Sequence, residues 1–135
     1  MLKIKVETII KPTEDPVKVR KAVENVFTGE ILVTNIGDGY KKVEGFSTRL
    51  ESLSALYNLI RIEQIIPAAR SYLLKGTKGN TIRFMIHKQA AYMRKISFVD
   101  SDRESPLGAI KFTIESQDPM RIIDWLTPTK YKHGE

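Results

Sequence analysis

A chain of 135 residues with 41% hydrophobic and 28% charged residues lies near globular averages, and it can bury roughly two-thirds of its unfolded surface in one domain without a metal or disulfide staple. It holds no Cys, which excludes disulfide frameworks, thiolate zinc sites, iron–sulfur clusters and cysteine nucleophiles. With 22 Lys+Arg against 16 Asp+Glu the formal charge is +6, a balance that favours polyanionic partners. Met1 to Lys5 alternates apolar and charged residues where a signal peptide needs an unbroken apolar run. No apolar stretch approaches the ~20 residues of a membrane span, so a cytoplasmic setting without membrane contact is expected.

Leu2, Ile4 and Val6 alternate with Lys3, Lys5 and Glu7, the period of a strand with one buried face. Asp15-Pro16 supplies a cap and a residue preset for the first helical turn. Val19, Ala22, Val23, Val26 and Phe27 then follow at helical spacing up to Thr28-Gly29. Glu30 to Ile36 is rich in β-branched residues, Gly37-Asp38-Gly39 signals a turn, and Tyr40 to Phe46 returns as the second arm of a hairpin. Ser52 to Ile66 carries a helical stripe of Leu53, Leu56, Tyr57 and Ile60. Pro67 kinks it or starts a second piece, Ala68 to Leu74, that stops at Lys75-Gly76. Asn80 to Ile86 reads as a strand with Arg83 opposite its core face, Lys88 to Met93 as a short helix and Ile96 to Val99 as a strand. Asp100 to Ser105 is expected to be an exposed loop, Ala109 to Glu115 alternates again, and Asp118-Pro119 opens a last helix that stops before Pro128. The order predicts one α+β domain over residues 1–128, a largely antiparallel sheet with helices packed on one face, followed by a tail at 129–135. The strand at residues 2–10 is expected to offer an open edge on which two copies can pair as a homodimer.

Charge is distributed unevenly along this order. From Gln64 to Val99 there is no Asp or Glu, while Arg70, Lys75, Lys78, Arg83, Lys88, Arg94 and Lys95 are present together with His87. The whole positive excess therefore sits in this segment, and an acid-free basic run is the electrostatic footprint of a phosphate-binding surface. Gly76-Thr77-Lys78-Gly79-Asn80 offers backbone N–H groups that can approach phosphates closely. Phe84 is in phase with Ile82 and Ile86 and belongs to the core, which leaves Tyr72 and Tyr92 as the aromatic groups able to stack on unpaired bases.

Other motifs carry less. The glycines at 76 and 79 are too close for a Walker loop, which also requires a following helix where a strand is expected here. Asp100, Asp102 and Glu104 are spaced like calcium ligands, but Ser105 and Pro106 stand where that loop needs its glycine turn. His87 and His133 are the only imidazoles, and no nucleophile motif accompanies them, so neither a catalytic site nor a cofactor is expected.

Thr13-Glu14-Asp15-Pro16, Ala69-Arg70, Gly76, Gly79-Asn80, Lys88-Gln89-Ala90-Ala91, Glu104-Ser105-Pro106-Leu107-Gly108 and Ile123-Asp124-Trp125-Leu126 occur in register over almost the whole chain. Together they resemble an archaeal family of small uncharacterised proteins that are predicted to bind RNA. The resemblance implies a fold like that of ribosomal protein L5, and a related family is proposed as an exosome component. It also departs from the pattern: His87 stands where Asn usually precedes Lys-Gln-Ala-Ala, Met93 lies where a small Gly is common, and Ala109 replaces a second Pro.

These readings converge on a non-catalytic RNA-binding module. Arg70, Lys75, Lys78, Arg83, Lys88, Arg94 and Lys95 are its expected phosphate contacts, with Asn80, His87 and Gln89 beside them. The rival expectation is a protein–protein adaptor, exosome-like or ribosome-associated, whose basic face docks on an acidic partner.

Overall fold

The computed structural model describes residues 1–100 and 108–129. The expected acidic loop beyond Asp100, the Glu104–Leu107 motif residues, His133 and the tail from 130 lie outside the described residues.

In chain order the elements are β1 (Leu2–Ile10), α1 (Pro16–Glu24), β2 (Glu30–Gly37), β3 (Tyr40–Ser47), a 3-10 turn (Leu50–Leu53), α2 (Ser54–Ile62), α3 (Ile66–Lys75), β4 (Thr77–Lys78), β5 (Thr81–His87), α4 (Lys88–Tyr92), β6 (Phe98–Val99), β7 (Ala109–Ser116) and α5 (Pro119–Leu126). The strands form one antiparallel sheet in the order β2-β3-β1-β7-β5-β4, with β6 also on β5, and this confirms the α+β class.

Side-chain alternation explains why one face is covered. Register places Ile4 and Ile82 on either side of Ile114, and Val6 and Phe84 on either side of Phe112. That face is closed by Val19, Ala22 and Val23 of α1, Leu56 and Ile60 of α2, Ala69 and Leu73 of α3, and Ile122, Ile123 and Leu126 of α5. Each large side chain buried there contributes about 1.5–3 kcal/mol by leaving water. The two Asp-Pro entries act as read from the sequence: Asp15 Oδ1 accepts the Val17 N–H at 2.9 Å and Asp118 Oδ1 the Arg121 N–H at 3.2 Å.

Three expectations change. The long helix ends at Ile62, because Gln64 turns left-handed at φ 56° and Pro67 sits in the first turn of α3; the Glu63 carboxylate is drawn off to accept the Ile96 N–H at 2.6 Å. Thr77-Lys78, read as loop, forms a two-residue strand on Thr81 and Ile82. The open edge expected at residues 2–10 is absent, since β1 lies inside the sheet between β3 and β7 and the strand at that end is β2. Alternation reports which face of a strand is buried and carries no information on which of its edges is paired.

Candidate nucleic-acid interface

Alternation along β5 sends Ile82, Phe84 and Ile86 into the core and turns Arg83 and Met85 to the open face. The outer edge of β5 is covered in two pieces: β4 pairs with Thr81 and Ile82, β6 with Met85 and Ile86. Between them is a notch at Arg83 and Phe84, where the Arg83 N–H donates to the Gly76 carbonyl at 2.9 Å. The chain leaving α3 can pass this close only because residue 76 has no side chain; a Cβ there would lie 1.7 Å from the Arg83 carbonyl oxygen.

The notch opens into a cleft of about 470 Å³ lined by Tyr72, Lys75 and Gly76 on one side, Arg83, Phe84 and Met85 along β5, and Val99, Asp100 and Lys111. Its wall is stiffened by aromatic contacts that run outward from the core. Phe112 stacks on Phe84 at 4.7 Å, Phe84 tilts against Phe98 at 6.0 Å, and Phe98 stacks on Tyr72 at 4.7 Å. The Lys75 ammonium lies 5.4 Å from the Tyr72 ring centroid, a cation–π distance that holds the charge at the rim. Tyr72 is thus engaged by Phe98 and Lys75, and the base-stacking role expected of it does not fit.

Ion pairing differs between the two ends of the sheet, although Asp100 lines the cleft and Glu7 stands across from Lys111 in the β1–β7 register. On β1 and β3, Lys5 lies 3.4 Å from Glu44, and Lys42 lies 3.3 Å from Glu7 and 3.6 Å from Glu44. The hydrogen bond and charge of Glu7, with Glu44 behind it, hold the Lys42 ammonium pKa above its usual value. Among the described residues, none of these ion pairs includes Lys75, Lys78, Arg83, Arg94, Lys95 or Lys111. Lys111 was missed from the sequence because it lies outside the acid-free run; its odd position in the alternation Ile110, Phe112, Ile114 is the signal that turns it to the open face.

The residues expected to contact phosphate do not form one patch. Lys75, Lys78, Asn80 and Arg83 gather where α3, β4 and β5 meet, and all four are exposed. Gln89, Arg94 and Lys95 are exposed past the His87 end of β5, about 13 Å of strand from Arg83. His87 at that end is partly buried, its N–H donating to the Ser97 carbonyl at 2.8 Å.

Arg70 and Lys88 are engaged internally and leave the phosphate-contacting set. Arg70 Nη1 lies 2.9 Å from Asp124 Oδ1 and donates to the Thr127 carbonyl at 2.7 Å, which ties α3 to α5. The Lys88 side chain is 4% exposed; its ammonium donates to the Ile9 carbonyl at 2.6 Å and to Glu14 Oε1 at 2.9 Å. Burial lowers the Lys88 pKa, an effect that outweighs the attraction of Glu14. Burial also pushes the Glu14 carboxyl upward, but the Lys11 N–H at 2.8 Å and the Lys88 ammonium together bring it below its usual value. The resemblance blocks thus meet in pairs, Glu14 of the first with Lys88 of the Lys-Gln-Ala-Ala block and Arg70 with Asp124, and these pairs hold the fold. A run of charges along a sequence gives no side-chain direction, which is why both were read as surface cations.

Tyr92 is 39% exposed beside a second cleft, of about 310 Å³, where Glu14 and Asp15 oppose a phosphate. Among the described residues there is no group of three or more His, Asp or Glu able to hold a metal ion, and no helix long and apolar enough to cross a membrane.

Comparison with known proteins identifies the family and the fold. A family model described as RNA binding matches residues 3–116. A UPF0201 protein from Saccharolobus solfataricus is 49% identical over 135 residues, covering 99% of this chain and 92% of the relative. The crystal structure of a UPF0201 protein from Methanococcus jannaschii superimposes with a TM-score of 0.82 at 30% identity, covering 94% of this chain and 93% of the other. A DUF54 protein from Archaeglobus fulgidus shares the fold, with a TM-score of 0.59 at 20% identity over 94% of this chain and 96% of its own. Sequence identity, coverage and fold agree, and the chain belongs to the archaeal UPF0201 family, within the group whose model is described as RNA binding.

Proposed function

We propose that this chain is an RNA-binding module that holds the phosphate backbone of structured RNA and catalyses no reaction. The observation that carries this reading is the set of Lys75, Arg83 and Lys111 lining the cleft, with Lys78 beside it on β4 and none of these four in an ion pair among the described residues, while Lys5 of β1 and Lys42 of β3 are held by Glu7 and Glu44. Unpaired cations next to a phosphate chain release its condensed counterions, whereas lysines already bound to carboxylates have nothing to gain. Asn80 and the turn at Gly79, whose φ is 61°, extend this surface along the end of β5. Arg94 and Lys95 form a second basic point past the His87 end of β5, about 13 Å of strand from Arg83, a separation that suits contact with two separate stretches of backbone.

The test is anisotropy titration of purified, nuclease-treated protein with a structured RNA, a single-stranded RNA and a duplex DNA over a salt series. Preference for structured RNA that persists near physiological salt is the expected result. Equal, weak binding to all three that vanishes with modest salt refutes the reading and favours an acidic protein partner.

A further inference from the structure

We infer that the notch between β4 and β6 receives one unpaired nucleotide of the bound RNA, so that the module prefers RNA carrying a bulged or flipped-out residue over a continuous duplex. This rests on the reading that the β5 side binds RNA, and it adds a pocket to what is otherwise a surface of charges.

Three features support it. The first is form: at about 470 Å³ the cleft falls within the span of small-ligand sites, about 300–1,000 Å³, and a continuous duplex presents no isolated group that can enter it. The second is the order of its chemistry. Met85, Val99 and Phe84 supply its apolar lining, and Lys75, Arg83 and Lys111 stand around it. A nucleotide has that arrangement, an apolar base attached to an anion. A bare phosphate would leave the apolar lining unused. Asp100 at the same cleft disfavours a phosphate beside it and accepts hydrogen bonds from a base amino group or a ribose hydroxyl, which gives the nucleotide an orientation. The third is preorganisation: the stack from Phe112 through Phe84 and Phe98 to Tyr72 fixes the wall before any ligand arrives, so little ordering is required on binding. The exposed cations Arg94 and Lys95 do not line this cleft.

The experiment compares two RNA hairpins of equal length, one fully paired and one with a single 2-aminopurine bulge, bound to the wild-type protein and to Met85→Gln. Met85 faces the open side of the sheet, so this uncharged change of similar length keeps both fold and charge. Wild type is expected to bind the bulged hairpin about tenfold more tightly, at the lower end of what a base contact contributes, with a change in 2-aminopurine fluorescence. In Met85→Gln that preference and the fluorescence change should disappear while affinity for the paired hairpin is kept. Equal affinity of the wild type for both hairpins overturns the nucleotide pocket and leaves the backbone reading standing. Failure to bind either hairpin overturns both. A preference that survives in Met85→Gln removes the pocket from the notch. Adenosine monophosphate alone, titrated in parallel, separates a free nucleotide from one within RNA; saturation by it without any bulge preference also overturns the proposal.

Discussion

Replacing Lys75 and Arg83 together by Gln removes two of the three cations that line the cleft, beside which Lys78 stands on β4, without touching the core, since both side chains are exposed. If Lys75, Lys78, Arg83 and Lys111 each neutralise one phosphate, log K against log salt should fall with a slope of about −2.8 to −3.6, using about 0.7 to 0.9 per contact. Raising salt about fourfold then weakens wild-type binding about 50- to 150-fold, and binding by the double variant only about 7- to 12-fold. The measurement is fluorescence anisotropy with one structured RNA at several salt concentrations, with circular dichroism to confirm that the variant is folded. Slopes rather than single affinities decide the matter, because loss of any contact lowers affinity, but only loss of a phosphate contact flattens the salt dependence. A double variant that binds more weakly with the wild-type slope would show that Lys75 and Arg83 do not touch phosphate. An unchanged affinity would refute the placement of the interface at the notch.

Lys88→Met leaves the Glu14 carboxylate without its ammonium partner and should destabilise the fold by about 2–4 kcal/mol in urea titration, with the salt slope of RNA binding unchanged. The acid limb follows from the same pair. Because the folded Glu14 pKa is depressed, its stabilisation is complete above the ordinary carboxylate value and is lost as pH falls through the lower folded value, so Glu14→Gln should flatten the stability loss between about pH 6 and pH 3. Arg70→Met should cost about 1–3 kcal/mol through Asp124 and the Thr127 carbonyl, again seen as a lower denaturation midpoint with RNA affinity kept in the folded protein. Gly76→Ala forces the chain off the Arg83 carbonyl and should cost about 3 kcal/mol or more, measured by thermal melting.

Local features were legible in the sequence because their causes are local. Asp15-Pro16 and Asp118-Pro119 cap and preset the turns that follow them, and Gly37-Asp38-Gly39 supplies the positive φ values of the hairpin at 102°, 56° and 83°. Alternation in β5 placed Phe84 in the core and Arg83 on the open face without knowledge of any neighbour. What depended on distant partners was not legible. Lys88 and Glu14 are 74 positions apart and Arg70 and Asp124 are 54 apart, so nothing near either basic residue marks it as internal. Lys111 is the converse: it stands outside the basic run and reaches the cleft only because β7 lies next to β5. The notch is equally a product of topology, since it exists where two short strands share one edge and fail to meet.

The position of β1 also bears on how the chain reaches this structure. β1 is held on one side by β7, whose residues are synthesised about a hundred positions later, so the pairing at the middle of the sheet closes a long loop. During synthesis β1 can pair with β3 as soon as the hairpin appears, but its other edge must wait for Ala109–Ser116 to emerge. In that interval Ile4 and Val6 have their hairpin neighbours and lack Ile114 and Phe112, and an unpaired edge stands open to any other nascent strand. Substitutions in β7 should therefore lower the yield of folded protein during expression by more than their effect on the finished fold accounts for, because they prolong the exposure of an edge that the native sheet hides at its centre.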